Sequence, residues 1–149
     1  MTFTSTSARP SHLAVVAEPQ QQPNQISFSA NTIAIWSGSG SPGRTSLAIN
    51  LAAELVLNGK RVLLIDLDSL APSIPLALGL AETPAGLSAV LRLLDQQRLS
   101  RAELARLTVA LDLGRAELLF LPGLSSPYRW EEITPERLAK FLSQISEQF

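Results

Sequence analysis

Two short stretches of the chain carry residues whose types and spacing predict chemistry, and the first is "SGSGSPGRTS" at residues 37–46. It fits the phosphate-loop pattern G-x-x-x-x-G-K-[ST] at every fixed position except the lysine, where Arg44 stands. Gly38 and Gly43 allow backbone conformations that are closed to other residues. Successive N–H groups of such a turn form an anion site where a helix begins. The stretch therefore predicts a phosphate-binding loop.

In this pattern, the cation at position 44 neutralises the outer phosphates and the hydroxyl of Thr45 coordinates Mg²⁺. Arg44 keeps the charge, but its planar guanidinium cannot take the place of an ammonium between two phosphates. We therefore expect phosphate binding to persist and hydrolysis to be weakened, with Arg44 as a candidate catalytic residue. The alternative is a flexible Ser/Gly turn between a strand and a helix. The predicted cofactor-binding residues are Gly38, Ser39, Gly40, Ser41, Pro42, Gly43, Arg44, Thr45 and Ser46.

The second stretch is Asp66-Leu67-Asp68, at the end of the apolar run "RVLLIDLD". In an open parallel sheet, ligands bind outside the carboxyl ends of the strands, the edge where the phosphate loop also lies. Carboxylates at that edge serve a magnesium ion or an attacking water. We therefore take Asp66 and Asp68 as candidates for a magnesium or water role. The alternative is that both are solvated acids at a strand end.

The elements that must position these residues follow from the apolar pattern. "TIAIW" at 32–36 is a short β-branched run that ends at the glycine cluster, which predicts a buried strand. "RTSLAINLAAELVLNG" has helical periodicity and a stop signal at Asn58-Gly59. "RVLLIDLD" is typical of a parallel strand covered on both faces. Strand, loop, helix and strand form a βαβ unit, which we expect to cross over right-handed.

The rest of the chain predicts further alternating elements. A short helical turn, one or two surface helices, an edge strand and a buried strand are expected in the segments 73–80, 84–108, 109–113 and 116–123. In the last segment, Thr134 is the expected N-cap and Pro135 the first helical residue. An apolar stripe follows, formed by Leu138, Phe141, Leu142, Ile145 and Phe149.

Composition excludes several classes of function. The chain has no cysteine, which excludes disulfides and thiol chemistry. Its single histidine, His12, lies in the polar leader, so a histidine-based triad is not expected. The formal net charge is -1, with 12 basic and 13 acidic side chains and no basic block, so DNA binding is not expected. No apolar run is long enough to span a membrane. Residues 1–30 are rich in Ser, Thr, Gln and Pro and predict a disordered leader before a domain at 31–149.

With the loop and the acids placed, the chain resembles the deviant-Walker ATPases of the Min/Par type. The segment "GSGSPGRTSLAINLAAELVLNGKRVLLIDLDSLAPSIPLALGL" follows their loop, helix and "VLLIDxD" strand without a gap. Its "DLDSLAPSIPLALGL" part is most similar to the branch of pilus assembly and secretion called CpaE or TadZ. This resemblance implies a P-loop NTPase-like three-layer αβα fold with a mainly parallel sheet.

The resemblance also implies a function. Such proteins are switch ATPases that dimerise with ATP between the subunits and position a pilus, secretion or partition machine. Gly38 to Ser46 would hold the phosphates, Thr45 would bind Mg²⁺, Asp68 would orient the attacking water and Asp66 would act near the metal. ATP and Mg²⁺ are thus the expected cofactors, and the expected location is cytoplasmic, or peripheral at the inner membrane through partners.

The sequence departs from the family in three respects. Ser39 stands where the family's signature lysine reaches across the dimer, and Arg44 replaces the second lysine, so hydrolysis is in doubt. The family's later strand ending in aspartate, the Walker B element, does not occur before Phe149. From this we expect an incomplete N-terminal portion of a larger domain, with the stripe of the last helix left exposed for self-association. The rival interpretations are a non-catalytic localisation or scaffold module and, less favoured by charge, an anion-binding regulator or a DNA-associated partition factor.

Overall fold

The computed structural model describes residues 32–38, 43–146 and 148–149. The predicted leader at 1–30 lies outside them. Helices in the described part of the chain are α1 (Arg44–Leu57), α2 (Ile74–Ala77), α3 (Gly86–Asp95), α4 (Arg101–Leu107), α5 (Pro135–Ile145) and a 3₁₀ helix (Pro127–Glu132). The strands there are β1 (Leu63–Ile65), β2 (Val109–Asp112) and β3 (Glu117–Leu121).

The three strands form one sheet in the order β1-β3-β2. β1 and β3 run parallel, with Leu64 beside Phe120, and β2 runs antiparallel to β3, with Leu111 beside Leu118. The hairpin turn between β2 and β3 is held by the Gly114 N–H, which donates to Asp112 Oδ1 at 2.7 Å. The buried strand and the edge strand predicted in this region are therefore confirmed, and β3 is paired along both of its edges.

Helices cover both faces of the sheet. Leu63, Ile65 and Leu121 point into a core built with α3, α4 and α5, while Leu64 and Phe120 point into a second core built with α1 and α2. The alternation along β1 and β3 divides the two cores, because successive strand residues face opposite sides. The largest fully buried side chains are Phe120, Phe141, Leu87, Leu91, Leu94, Leu118, Leu121 and Val90. This is a helix–sheet–helix α/β arrangement of the P-loop NTPase class.

Helix α1 has the predicted bounds, but its buried side differs from the leucine row that indicated the helix. Ala52 and Val56 are the residues of α1 that are buried, whereas Leu47 is 58% exposed. Small side chains on the contact side let a helix lie close to the strands beneath it, which explains why the alanine row faces the core. The helix ends where expected. Gly59, at φ 81, donates to Val56 O and Lys60 N–H donates to Leu55 O.

The predicted strand at Thr32–Trp36 is not formed, so that prediction was wrong. The run belongs to no strand, and both Ile33 (62%) and Trp36 (81%) are largely exposed. Its β-branched residues favour a strand locally, but none of the described strands pairs with this run, although β1 is an edge strand of the sheet. The predicted βαβ unit is therefore present only as its second half, α1 followed by β1.

The last helix begins as predicted, at Pro135, with the Thr134 hydroxyl accepting the Arg137 N–H at 3.3 Å. Its apolar stripe is not left open, contrary to expectation. Phe141 and Ile145 are buried against α3, and the partly buried Leu138, Leu142 and Phe149 pack around the same core. An ion pair between Arg137 and Asp95 fastens α5 to the end of α3. The stripe thus packs against the core of the described chain, with Phe141 and Ile145 buried.

Candidate functional site

The start of α1 has the features of an anion site. Gly43 precedes the helix with φ 107 and ψ -11, a left-handed conformation that favours glycine. The N-cap residue, Gly43, has no side chain to cap the helix, and the first turn carries no acid. Helices α4 and α5, by contrast, are capped by the side chains of Ser100 and Thr134. Among the described residues, no side chain therefore caps the first N–H groups of the 14-residue helix α1, and the helix dipole favours a negative charge beside them.

The structure describes only part of the predicted loop. Ser39, Gly40, Ser41 and Pro42 lie outside the described residues. Gly38 forms a bend on one side of them, and on the other side Gly43 is followed by the helical residues Arg44, Thr45 and Ser46. The half-buried Arg44 makes no ion pair with any carboxylate of the described residues. Of the predicted phosphate residues, Gly43, Arg44, Thr45 and Ser46 thus lie at the start of α1.

Thr45, the predicted Mg²⁺ residue, lies in contact with the segment that follows β1. Its Oγ1 is 2.7 Å from Ser73 Oγ, a hydroxyl–hydroxyl hydrogen bond across 28 positions of sequence. Ser73 occupies the N-cap position of α2, without capping it through its side chain. This contact holds the first turn of α1 against the start of α2, so it fixes where the Thr45 hydroxyl stands.

Asp66 lies directly behind this contact. Only 4% of the residue is exposed, and its carboxylate accepts the Asp68 N–H at 3.1 Å and the Ile74 N–H at 3.2 Å. Burial raises the pKa of Asp66 above 3.8, and the charge of Asp68 raises it further. The backbone N–H groups at 68, 73 and 74 oppose that rise because they stabilise the charged form. Thr45, Ser73 and Asp66 are therefore joined through the short Ser73–Ile74 step.

Asp68 has a different environment. It is exposed, and its Oδ1 accepts the Leu70 N–H at 3.1 Å and the Ala71 N–H at 2.9 Å. The carboxylate thus shapes the turn after β1 while one oxygen stays available to a ligand. Within the described residues, no group of three or more Asp, Glu, His or Cys side chains is placed to hold a metal on its own. A magnesium ion would need phosphate oxygens and water besides Thr45 and Asp66, which is how Mg²⁺ is usually bound.

Close backbone packing holds Asp66 in place from the other side. A Cβ on Gly123, just after β3, would stand 2.8 Å from the backbone O of Asp66. A Cβ on Gly86, the first residue of α3, would stand 2.1 Å from Pro122 O. Leu87 N–H donates to that same oxygen at 2.8 Å. The end of β1, the end of β3 and the start of α3 therefore form one tightly packed layer beneath the site.

Sequence reasoning singled out Thr45, Asp66 and Asp68 but missed Ser73, which links them. The available signal was "PSIP", a serine before a short helix with proline near its first position. That signal indicates a helix start and says nothing of a partner 28 residues earlier. Likewise, nothing in "DLD" showed that one carboxylate would be buried and the other exposed.

The sequence of this chain is similar to that of known proteins. Residues 29–100 match the ParA family model, described as NUBPL iron-transfer P-loop NTPase. An uncharacterized ATP-binding protein of Methanocaldococcus jannaschii is 31% identical over 120 residues, which cover 80% of this chain and 42% of the relative. No solved structure gives a significant match. The matched region contains the loop, α1, β1 and both aspartates.

Shorter matches lead to named relatives. The iron-sulfur cluster carrier protein of Escherichia coli K12 is 40% identical over 68 residues, 46% of this chain and 18% of the relative. The cytosolic Fe-S cluster assembly factor cfd1 of Aspergillus terreus is 39% identical over 61 residues, 38% of this chain and 20% of the relative. The chain spans less than half the length of each of these three relatives, none of which is named as a pilus-assembly protein. Residues 29–100 are therefore similar to part of a P-loop NTPase domain of the ParA family.

Proposed function

We propose that this chain binds ATP together with Mg²⁺ at the start of α1. The observation that carries the proposal is the left-handed Gly43 immediately before a long helix that no side chain of the described residues caps. Such a helix start presents N–H groups to an anion, and its dipole adds to the attraction. The ATP-binding relative shares 31% of its residues with this chain over a region that includes the loop.

In this proposal, the loop residues Gly38 to Gly43 wrap the phosphates and the side chain of Arg44 lies along the outer ones. Mg²⁺ would be held by the Thr45 hydroxyl, with Asp66 close behind through Ser73. The hydroxyl of Ser73 would keep Thr45 oriented while the ion is bound. Asp68, with its exposed carboxylate, would position water. When bound, Mg²⁺ supplies charge that neutralises the phosphates.

Hydrolysis is proposed to be weak or absent. Arg44 gives a charge without the point-like ammonium of lysine, and Ser39 brings no charge at all. Transition-state charge on the transferred phosphoryl group would then rest on backbone N–H groups and the metal. Losing one preorganised donor of this kind costs about 3 kcal/mol, or roughly 10²-fold in rate. Nucleotide binding does not depend on stabilising the transition state, so the chain can bind ATP without hydrolysing it.

The assembly served by this nucleotide site is a further part of the proposal. The resemblance to CpaE and TadZ favours positioning of a pilus, secretion or partition machine, by a homodimer with nucleotide at its interface. The named relatives favour iron-sulfur cluster work instead. In either case we propose a nucleotide switch that acts through a partner, placed in the cytoplasm as the name of the Aspergillus relative indicates for that protein.

A second candidate is a scaffold module that keeps the fold without catalysis. It is favoured by the use of both carboxylates in hydrogen bonds to backbone N–H groups of the segment that follows β1. Phosphate release by the Ser39→Lys variant separates the candidates. Hydrolysis gained with the lysine indicates an enzyme that lost its cation. Robust hydrolysis by the unaltered protein would rule out the scaffold.

Binding itself is tested with a fluorescent ATP analogue, with and without Mg²⁺. We expect saturable binding that Mg²⁺ strengthens, and a loss of that strengthening in Thr45→Ala. Arg44→Ala should weaken binding in both conditions, because it removes a charge-assisted contact worth about 1.5–3 kcal/mol. Arg92→Ala is the matched control, since Arg92 is an exposed arginine of α3 away from the site. Equal affinity in all four proteins, or none in any, would refute the proposal.

A further inference from the structure

A cavity of about 360 Å³ lies at the end of the sheet opposite Asp66. The end of α1, the residues before β1 and the first residues of β3 form one side of it, and α4 forms the other. Val62, Leu104, Leu119 and Phe149 give it apolar walls. Its volume falls at the lower end of the range of about 300–1,000 Å³ that small-molecule sites occupy.

The rim of this cavity is basic. Lys60, Arg61 and Arg101 line it, against one carboxylate, that of Glu117. None of the ion pairs among the described residues uses any of these three cations. This distribution is local, since the whole chain is nearly neutral.

The end of α1 does not cancel that charge. A helix carboxyl end carries partial negative charge because its last carbonyls lack partners. Here Gly59 N–H donates to Val56 O at 2.9 Å and Lys60 N–H donates to Leu55 O at 3.0 Å. These hydrogen bonds satisfy two of the carbonyls. They also turn the chain after α1, so that Lys60 and Arg61 line the cavity.

From this combination we propose a second binding site, for a small amphipathic anion: an alkyl chain with a phosphate or carboxylate head. The chain would lie against Leu104, Leu119 and Phe149, and the head would meet Arg61 and Arg101. Burial of the alkyl part contributes about 0.8 kcal/mol for each methylene removed from water. The site is separate from the phosphate loop, because β1 and β3 run between the two.

Calorimetric titration with octyl phosphate tests the proposal, with inorganic phosphate and octanol as the two half-ligands. We expect octyl phosphate to bind at least about tenfold more tightly than either, since each half-ligand keeps only one of the two contacts. Arg44→Ala, which should weaken nucleotide binding with and without Mg²⁺, should leave octyl phosphate binding unchanged and so separates the two sites. Equal affinity for inorganic phosphate would overturn the proposal, and so would loss of octyl phosphate binding in Arg44→Ala.

Two variants locate the binding. The double variant Arg61→Glu/Arg101→Glu should weaken octyl phosphate by about tenfold or more. Arg92→Glu/Arg98→Glu, two exposed arginines outside the cavity, changes the net charge equally and should have little effect. Ala105→Trp fills the cavity and keeps every cation, so it should also weaken binding; thermal unfolding checks that each variant folds. Equal effects of both charge variants, or binding to phosphatidylglycerol vesicles without binding to octyl phosphate, would contradict the proposal.

Discussion

The packed layer beneath the site makes Gly86→Ala the sharpest test of the fold. Gly86 begins α3 at φ +47, in the left-handed region, and a Cβ there would stand 2.1 Å from Pro122 O. The substitution therefore imposes both backbone strain and a collision with main chain. Because Pro122 O also accepts the Leu87 N–H at 2.8 Å, any movement that relieves the collision breaks this hydrogen bond.

The cost follows from these two terms. Placing an L-residue in the left-handed region costs about 1–2 kcal/mol. Leaving the buried Leu87 N–H without a partner costs a further 1–3 kcal/mol, roughly. We therefore expect Gly86→Ala to lower the free energy of unfolding by about 3 kcal/mol or more, a large part of the 5–15 kcal/mol, approximately, that holds a typical domain.

Gly79→Ala is the matched control. Gly79 has φ +67, but a Cβ there would meet nothing within 4 Å. It therefore carries the strain alone, about 1–2 kcal/mol. Urea unfolding followed by far-UV circular dichroism measures both variants against the unaltered protein. Equal losses at the two glycines would show that α3 does not begin against Pro122 as described.

Two further predictions concern Asp66 and the core. Because burial raises the pKa of Asp66 above 3.8, the folded protein holds that proton to a higher pH than the unfolded chain does. Stability should therefore fall as pH rises from about 3.8 through the raised pKa, and then level off. Urea titrations from pH 4.5 to about neutrality should show this fall in the unaltered protein and not in Asp66→Asn; equal slopes would contradict it. Hydrogen bonds from its own backbone N–H and from the Thr134 hydroxyl lower the pKa of Glu136 from 4.5, so Glu136 titrates below this pH range. Phe141→Ala should lower the free energy of unfolding by about 3–5 kcal/mol, since the side chain is fully buried. A loss under about 1 kcal/mol would show that the apolar stripe of α5 is not buried.

Local patterns predicted the elements whose signals lie within one segment. Helix α1 follows from its 3.6-residue period, and the start of α5 follows from Thr134 and Pro135, because capping is decided by neighbours in sequence. The two predictions that failed depend on distant contacts. Whether the run at 32–36 forms a strand depends on pairing with a distant strand, and whether the stripe of α5 is covered depends on α3.

The site shows the same division. The residue types of the loop and of "DLD" predicted phosphate and metal chemistry, since these rest on donors and acceptors in fixed order. The contact of Thr45 with Ser73 and the burial of Asp66 arise only when α1, β1 and α2 pack together. Sequence therefore identifies the chemistry, and tertiary packing decides which carboxylate is shielded and which hydroxyl is held.

The central claim is that backbone N–H groups at the start of α1 hold phosphate. Amide chemical shifts of the ¹⁵N-labelled protein, titrated with Mg²⁺–ATP and separately with adenosine, test it most directly. We predict saturable shifts that are largest at Gly43, Arg44, Thr45 and Ser46, produced by ATP and absent with adenosine. Shifts of equal size with adenosine, or shifts confined to residues away from α1, would contradict the claim.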